Sequence, residues 1–359
     1  MKIVSGIEDA RTILMSERGI VENSSSYTKS VEGIIQYVRN DGDEALINLT
    51  QKFEGIPLKC IEVDLSTIKN AKNNISRDLF DSLQLASQRI TTFHQKCLLQ
   101  GWSNSGEGLG QKIVPIQRVG VYVPGGTASY PSTVLMTAIP AKVAGVEEII
   151  MCTPLSKDGK LDDMVLAAAD IAGVDRIFSV GGAQSIAGMA FGTQTIPKVD
   201  LICGPGNIYV TLAKKMLFGE VGIDGLYGPT ETFLIADSSA NPTMCAADLL
   251  AQAEHDVLAR ATMLTNSHQL AQEVSSQIET RLGFMTRGSI ASKSIENRGL
   301  IAVLDDLEDA IDLTNQFAPE HLSLVVDDTK MFLDEIKNVG VIFVGEFSHE
   351  VLGDYVAGP

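Results

Sequence analysis

Residues 118–126, RVGVYVPGG, place a short apolar run between Arg118 and a proline-glycine turn, and the pattern that continues from them sets the architecture. A run of this length, rich in valine and closed by Pro and Gly, reads as a buried strand ending in a turn. From about Ser132 to Ala144 the apolar spacing becomes that of a helix. The unit then repeats. Ile149 to Cys152 precedes a helix from Asp162 to Ile171, Ile177 to Val180 runs into Gly181 and Gly182, and Val199 to Cys203 runs into Gly204 and Gly206. Such alternation implies a parallel, doubly wound α/β sheet, because each crossover helix carries the chain back over a sheet face. Ligands in such sheets sit at the carboxyl ends of the strands, which makes the glycine turns candidates for a binding site.

The pattern continues in the C-terminal direction with a strand at Phe233 to Ala236 and a helix opened by Asn241 and Pro242, a cap residue followed by the residue best suited to the first helical position. A strand near Thr262 to Thr265, a helix near 268–281 and strands at Leu322 to Val326 and Val341 to Val344 come after it. Toward the N-terminus, residues 1–27 read as a short helical element ending in the polar stretch Glu22 to Ser26. Residues 28–53, with a break near Gly42, and 76–100 carry helical spacing, and Gly101 to Gly110 (GWSNSGEGLG) reads as an exposed connection. The expected architecture is two Rossmann-like doubly wound α/β domains, one inserted in the other, with a short helical N-terminal element. Residues 28–115 plus 230–359 form the discontinuous domain, and 116–229 form the inserted one.

A chain of 359 residues is long enough for two ordinary domains, each with its own core. Hydrophobic residues at 45% and charged residues at 20% place it among globular rather than disordered chains. A net charge of −17 argues against nucleic acid or an anionic membrane as the main partner, since both repel an acidic protein. The start, MKIVSGIEDARTIL, has Glu8 and Asp9 where a secretory signal would carry its apolar core, and runs such as Met164 to Ala169 stop at Asp170, far short of a membrane span. Five widely spaced cysteines (Cys60, Cys97, Cys152, Cys203, Cys245) include no CxxC pair and read as free thiols of a reducing cytoplasm.

Four places carry side chains suited to chemistry. Gln252 and His255 lie three apart in LLAQAEHDVLAR, so on a helix both leave one face within a turn and can share a metal ion; a lone helical His is also commonly structural. Glu320 and His321 follow Pro319 in QFAPEHLSL, where a helix gives way to a strand, and neighbours there point apart, as two separate bases or as a polar loop. Asp354, in GDYVAGP, offers a carboxylate for a mixed N/O metal site or for a turn beside Gly353. The turns VPGG (123–126), VGGAQ (180–184) and CGPGN (203–207) expose backbone N–H groups that can approach a phosphate, but none is a GxGxxG, and each reads equally well as a tight turn without ligand. His94, His268 and His349 have no ligand-spaced neighbour and read as surface residues.

Taken together, RVGVYVPGG (118–126), YPSTVLMTAIPAKVAGV (130–146), VGGAQSIAGMAFGT (180–193), PKVDLICGPGNIYV (197–210), GPTETFLIAD (228–237), ADLLAQAEHD (247–256), FAPEHL (317–322) and GDYVAGP (353–359) resemble the histidinol dehydrogenase family in order and over essentially the whole chain. The resemblance implies a zinc-dependent oxidation of L-histidinol to L-histidine, the last step of histidine biosynthesis, with two NAD+ molecules and an aldehyde retained in the site. It implies NAD contacts at Tyr122, Gln184 and Asn207, zinc ligands at Gln252, His255 and Asp354, and substrate contacts at Thr230, Gln252, His255, His321 and Asp354. His321 matches the base that removes the alcohol proton, and Glu320 the residue that activates water for the second oxidation. A cytoplasmic homodimer with one zinc ion per subunit is implied as well.

Two departures modify these expectations. Members of the family continue past GDYVAGP into a tail that crosses to the other subunit and brings a further zinc-ligand His and a substrate-binding Glu. Here the sequence stops at Pro359, which predicts a chain cut short, without its swapped tail domain and with three of four protein zinc ligands, and leaves an inactive form as an alternative. Thr230 in GPTE stands where the family usually has Ser, and the added methyl narrows the pocket, so a related dehydrogenase of another small alcohol, such as a sulfonated propanediol, is the other alternative.

Overall fold

The chain opens with a strand, β1 (Lys2–Ser5), and a helix, Ile7–Ser16. Helices Ser25–Asp41, Asp43–Glu54 and Arg77–Lys96 precede an antiparallel hairpin of β2 (Trp102–Asn104) and β3 (Leu109–Gln111). Then come β4 (Arg118–Tyr122), β5 (Glu148–Cys152), β6 (Arg176–Phe178), β7 (Leu201–Cys203) and β8 (Gly222–Ile223), in the parallel order β6-β5-β4-β7-β8. Last are β9 (Glu231–Ala236), β10 (Arg260–Thr265), β11 (Leu300–Val303), β12 (His321–Val325) and β13 (Val341–Val344), which join β1 in a second parallel sheet ordered β1-β11-β10-β9-β12-β13. The computed structural model describes residues 1–16, 25–125 and 129–353, which fall into one unit of 1–16 with 229–352 and another of 25–228.

Renumbered within its own unit, each sheet has the order 3-2-1-4-5 of a doubly wound fold, and β1 is added beside β11 in the second. Successive residues of a strand face opposite sides, so a sheet buried on both faces needs apolar residues throughout. Ile149 and Met151 of β5 enter one core with Val119 and Val121 of β4, while Ile150 and Cys152 enter the other with Tyr122 and Phe178. In the second unit Leu234 and Ala236 of β9 face one core, and Phe233 and Ile235 the other.

The same burial shows why residues 28–115 pack with the inserted segment and not with 230–359 as expected. Val31, Ile34, Val38, Leu46 and Leu49, from the helices Ser25–Asp41 and Asp43–Glu54, join the core on one side of the five-stranded sheet, packed on the crossover helices Gly182–Phe191 and Ile208–Leu217. Leu83, Ala86 and Ile90, from Arg77–Lys96, join the core on the other side, packed on the helices Pro131–Val143 and Asp163–Ala172. Without these helices the apolar outer sides of the crossover helices would be wet. The early sequence that does join the later unit is 1–16, and it brings a strand as well as the expected helix. Residues 101–110 are exposed as expected, but Asn104, whose Oδ1 accepts from the N–H groups of Gly106 and Glu107, turns them into a hairpin. The short strands β1, β8 and β11 carry too few residues to show a period.

The turn after β7 is set by close backbone approach. Gly204 has φ 115°, and a Cβ on it would lie 2.1 Å from the carbonyl oxygen of Tyr122 at the end of β4. Its N–H donates to Oδ2 of Asp224 at 2.7 Å, and its carbonyl accepts from Nζ of Lys214 at 2.9 Å. Lys214, 2% exposed, pairs in turn with Oδ1 of Asp224, so a buried ion pair clamps both sides of one glycine. Gly204→Ala is therefore expected to destabilise the protein by about 3 kcal/mol, read as a lowered urea midpoint with an unchanged slope.

Candidate active site

His321 is the first residue of β12, and Glu320 stands just ahead of it, where the helix Leu307–Phe317 gives way to the strand. Ala318 makes that change of direction at φ 59° and ψ 63°, the only positive φ among the described non-glycine residues. An L-residue there costs roughly 1–2 kcal/mol, and the surroundings hold it. Pro319 follows, its carbonyl accepting from the Gly340 N–H at 3.2 Å, and the Glu320 carbonyl accepts from Val341 at 3.0 Å.

Across the ladder His321 lies opposite Thr232 of β9, and both side chains point to the face covered by the helix Pro242–Ala253. Between them comes Glu350, 9% exposed, from a short 3-10 turn at Glu350–Leu352. Its Oε2 accepts from the Thr232 hydroxyl at 2.6 Å, and its Oε1 lies 3.3 Å from Nδ1 of His321. Oε2 of Glu320 lies 3.8 Å from the same nitrogen, on a side chain 41% exposed. The expected separation of Glu320 from His321 therefore does not hold: Glu320 precedes the strand, so strand alternation does not direct it.

Two further pairs line this edge. Asp248, buried on the covering helix, accepts from the Ser323 hydroxyl at 2.7 Å and lies 3.7 Å from Nδ1 of His349. His349 is thus no surface residue, because the turn that carries Glu350 folds it inward. Of the other two histidines read as surface, His268 is exposed, and His94 is half-buried, with burial lowering its pKa. One helical turn beyond Asp248 the buried Gln252 accepts from the Thr230 hydroxyl at 2.9 Å, so Thr230 orients that amide. His255 is not on the helix, which ends at Ala253; it lies in the exposed turn that follows, its N–H donating to the Gln252 carbonyl at 3.1 Å. Asp354 and the motif after it lie outside the described residues. Among the described residues no three His, Cys, Asp or Glu side chains gather as a metal site.

All of these groups stand at the amino ends of β9 and β12, not at the carboxyl ends where the fold rule looks first. The reason is directional. The helix after β9 runs back along the sheet, so its last turn, with Gln252, returns to the edge where β9 begins.

In the other unit the glycine turns do lie at carboxyl ends, and β4 and β7 flank the point where strand order reverses. Gly126 lies outside the described residues. Two of the N–H groups expected to meet a phosphate already have partners. Gly182 donates to the Tyr122 phenol oxygen at 3.2 Å and Gly204 to Asp224, while the carboxylate of Glu54, whose pKa burial raises, lies beside Gly181. Asn207, exposed, caps the helix Ile208–Leu217 by accepting from Tyr209 and Val210 at 3.0 and 3.3 Å. Tyr122 and Gln184 are buried, 4% and 3% exposed.

No sequence pattern singles out Glu350, Glu54 or the Lys214–Asp224 pair. Asp248 alone carries a signal that sequence reasoning missed, its spacing of four from Gln252 on one helix face.

Residues 18–359 match the family model described as histidinol dehydrogenase. A histidinol dehydrogenase of Dehalococcoides mccartyi is 51% identical over 332 residues, covering 92% of this chain and 76% of that protein. One from Aquifex aeolicus is 50% identical over 337 residues, covering 93% and 78%. The crystal structure of histidinol dehydrogenase from Elizabethkingia anophelis superposes with a TM-score of 0.94 at 36% identity, covering 100% of this chain and 83% of that one.

The burial of Tyr122 is testable by titration. Desolvation first, and the nearby Glu54 charge second, raise its pKa from 10.0 to about 12 against the opposing Gly182 hydrogen bond. The folded state then holds a proton that the unfolded state releases, so stability falls as pH rises between about 10 and 12. Absorbance titration of the phenols is expected to show one late ionisation, which disappears in Tyr122→Phe; an unaltered late phase in that variant would contradict the assignment.

Proposed function

The chain belongs to the histidinol dehydrogenase family, and from that premise we propose that it oxidises L-histidinol to L-histidine in two hydride transfers, by way of an aldehyde kept in the site. The observation that supports this reading is the cluster at the amino ends of β9 and β12, where an imidazole, two carboxylates and a buried glutamine amide are held together. NAD would supply the hydride acceptor, and zinc, held by Gln252, His255 and Asp354, would supply a Lewis-acidic cation that orients the substrate.

Gln252 and His255 fit a zinc site by donor chemistry, an amide oxygen and an imidazole nitrogen, to which Asp354 adds a carboxylate. The Thr230 hydroxyl fixes the Gln252 oxygen and leaves it a second lone pair. Tyr122 and Asn207, after β4 and β7, and Gln184, after β6, are the proposed NAD contacts. In the first oxidation His321 takes the alcohol proton as hydride leaves the carbon. In the second, the half-exposed Glu320 takes a proton from water as it adds to the aldehyde, and the hydrated carbon releases hydride and becomes the carboxylate. One water is consumed and two NAD+ reduced for each histidinol. A homodimer and a reducing cytoplasmic location complete the reading, in keeping with five cysteines that form no disulfide.

NADH formation with histidinol is the direct test. His321→Ala is expected to lower kcat by roughly 100- to 10,000-fold, and Glu320→Gln to slow aldehyde oxidation more than alcohol oxidation. Full turnover in His321→Ala would refute the assigned base. For the metal, Gln252→Ala and His255→Ala are each expected to weaken zinc binding by at least about tenfold, read by elemental analysis after dialysis. Unchanged zinc in both variants would remove these ligands from the site.

A further inference from the structure

A base that takes a proton through one ring nitrogen needs the other to carry its own proton, and the group facing that second nitrogen decides the tautomer. For His321 the nearest carboxylate to that nitrogen is Glu350, which stands at ion-pair distance and outside hydrogen-bond geometry, so it acts on Nδ1 through its charge. Its Oε1 stands 3.3 Å from Nδ1, closer than Oε2 of Glu320 at 3.8 Å, and it is 9% exposed, whereas the Glu320 side chain is 41% exposed. Being more buried, the Glu350 charge is less screened, so at the shorter distance its field at Nδ1 outweighs that of Glu320.

Glu350 is held in its turn. Thr232, fully buried and in register with His321, donates its hydroxyl to Oε2 at 2.6 Å. Thr232 and His321 are fixed on one face by the β9–β12 ladder, and one carboxylate spans the two side chains. A carboxylate ordered in this way favours the Nδ1–H tautomer and stabilises the imidazolium that forms when the ring accepts a proton.

We propose that Glu350 is a positioning residue, which Thr232 anchors and which holds His321 as the Nδ1–H tautomer, so that Nε2 carries the lone pair that receives the substrate's proton. This rests on the reading of His321 as the base. None of the cofactor or metal contacts takes part. Glu350 acts through the imidazole and has no contact of its own with the alcohol.

Glu350→Gln keeps the shape and the acceptor for Thr232 but loses the charge. With histidinol it is expected to lower kcat by about 100-fold while KM changes by no more than about twofold, since ground-state binding is untouched. Glu350→Asp should recover part of that loss. Independently of turnover, the nitrogen-15 spectrum of the histidine-labelled full chain, assigned by its loss in His321→Ala, should show Nδ1 of His321 protonated and Nε2 bare. In Glu350→Gln that signature should shift toward mixed tautomers. Should Glu350→Gln fail to melt cooperatively, Thr232→Val, which frees the carboxylate but leaves it in place, is expected to show a several-fold fall in kcat at constant KM. A wild-type kcat and an unchanged tautomer signature in these variants would overturn the proposal for Glu350 even if His321→Ala is inactive. Activity surviving in His321→Ala would instead sink the base assignment, and the tautomer spectrum would still report on Glu350.

Discussion

The pairing of His321 with Thr232 across β9 and β12 is the constraint on which the proposed catalytic edge depends. A slip of one residue in β12 would send His321 to the opposite face, among Phe233 and Ile235, and bring an apolar side chain such as Leu322 to the carboxylate. The pairing is secured by the flanking residues. Phe233 stacks on Phe317 at 4.7 Å between centroids, Leu322 and Leu324 are fully buried, and the Glu320 carbonyl is tied to Val341. The apolar core on one face thus fixes the polar chemistry on the other.

Much of this architecture is legible in the residues. Valine-rich runs such as Val119 to Val123 can satisfy a sheet buried on both faces, and the glycine that ends each needs a tight turn, so the doubly wound pattern from 118 to 206 emerges directly. What periodicity cannot supply is the partner of an amphipathic helix. Leu46 and Leu83 announce that their helices bury a face but not against which sheet, and for that reason residues 28–115 are misplaced by sequence reasoning alone. The proposed catalytic residues divide in the same way. Glu320 and His321 stand out because they are polar where a strand begins. Glu350 does not, and Asp248 does so only by its spacing from Gln252, since their contacts are with Thr232, Ser323 and the two histidines, which are distant in sequence.

The glycine turns show how a sound physical argument can reach an incomplete conclusion. Backbone N–H groups at strand-to-helix turns do attract negative charge, and here they attract the protein's own. Asp224 takes the amide of Gly204 and the Tyr122 phenol that of Gly182, with the Glu54 carboxylate beside Gly181. A turn whose amides are taken in this way offers fewer of them to a phosphate, in keeping with the absence of a GxGxxG.

Ala318 carries a last implication. A glycine would adopt its left-handed backbone without steric penalty, yet would widen the range of shapes open to the segment from Phe317 to His321. The methyl group narrows that range at some expense in folding energy. The turn is thus stiffer than glycine would make it, so a change at this position is to be judged by its effect on how steadily Glu320 is aimed and not by thermal tolerance.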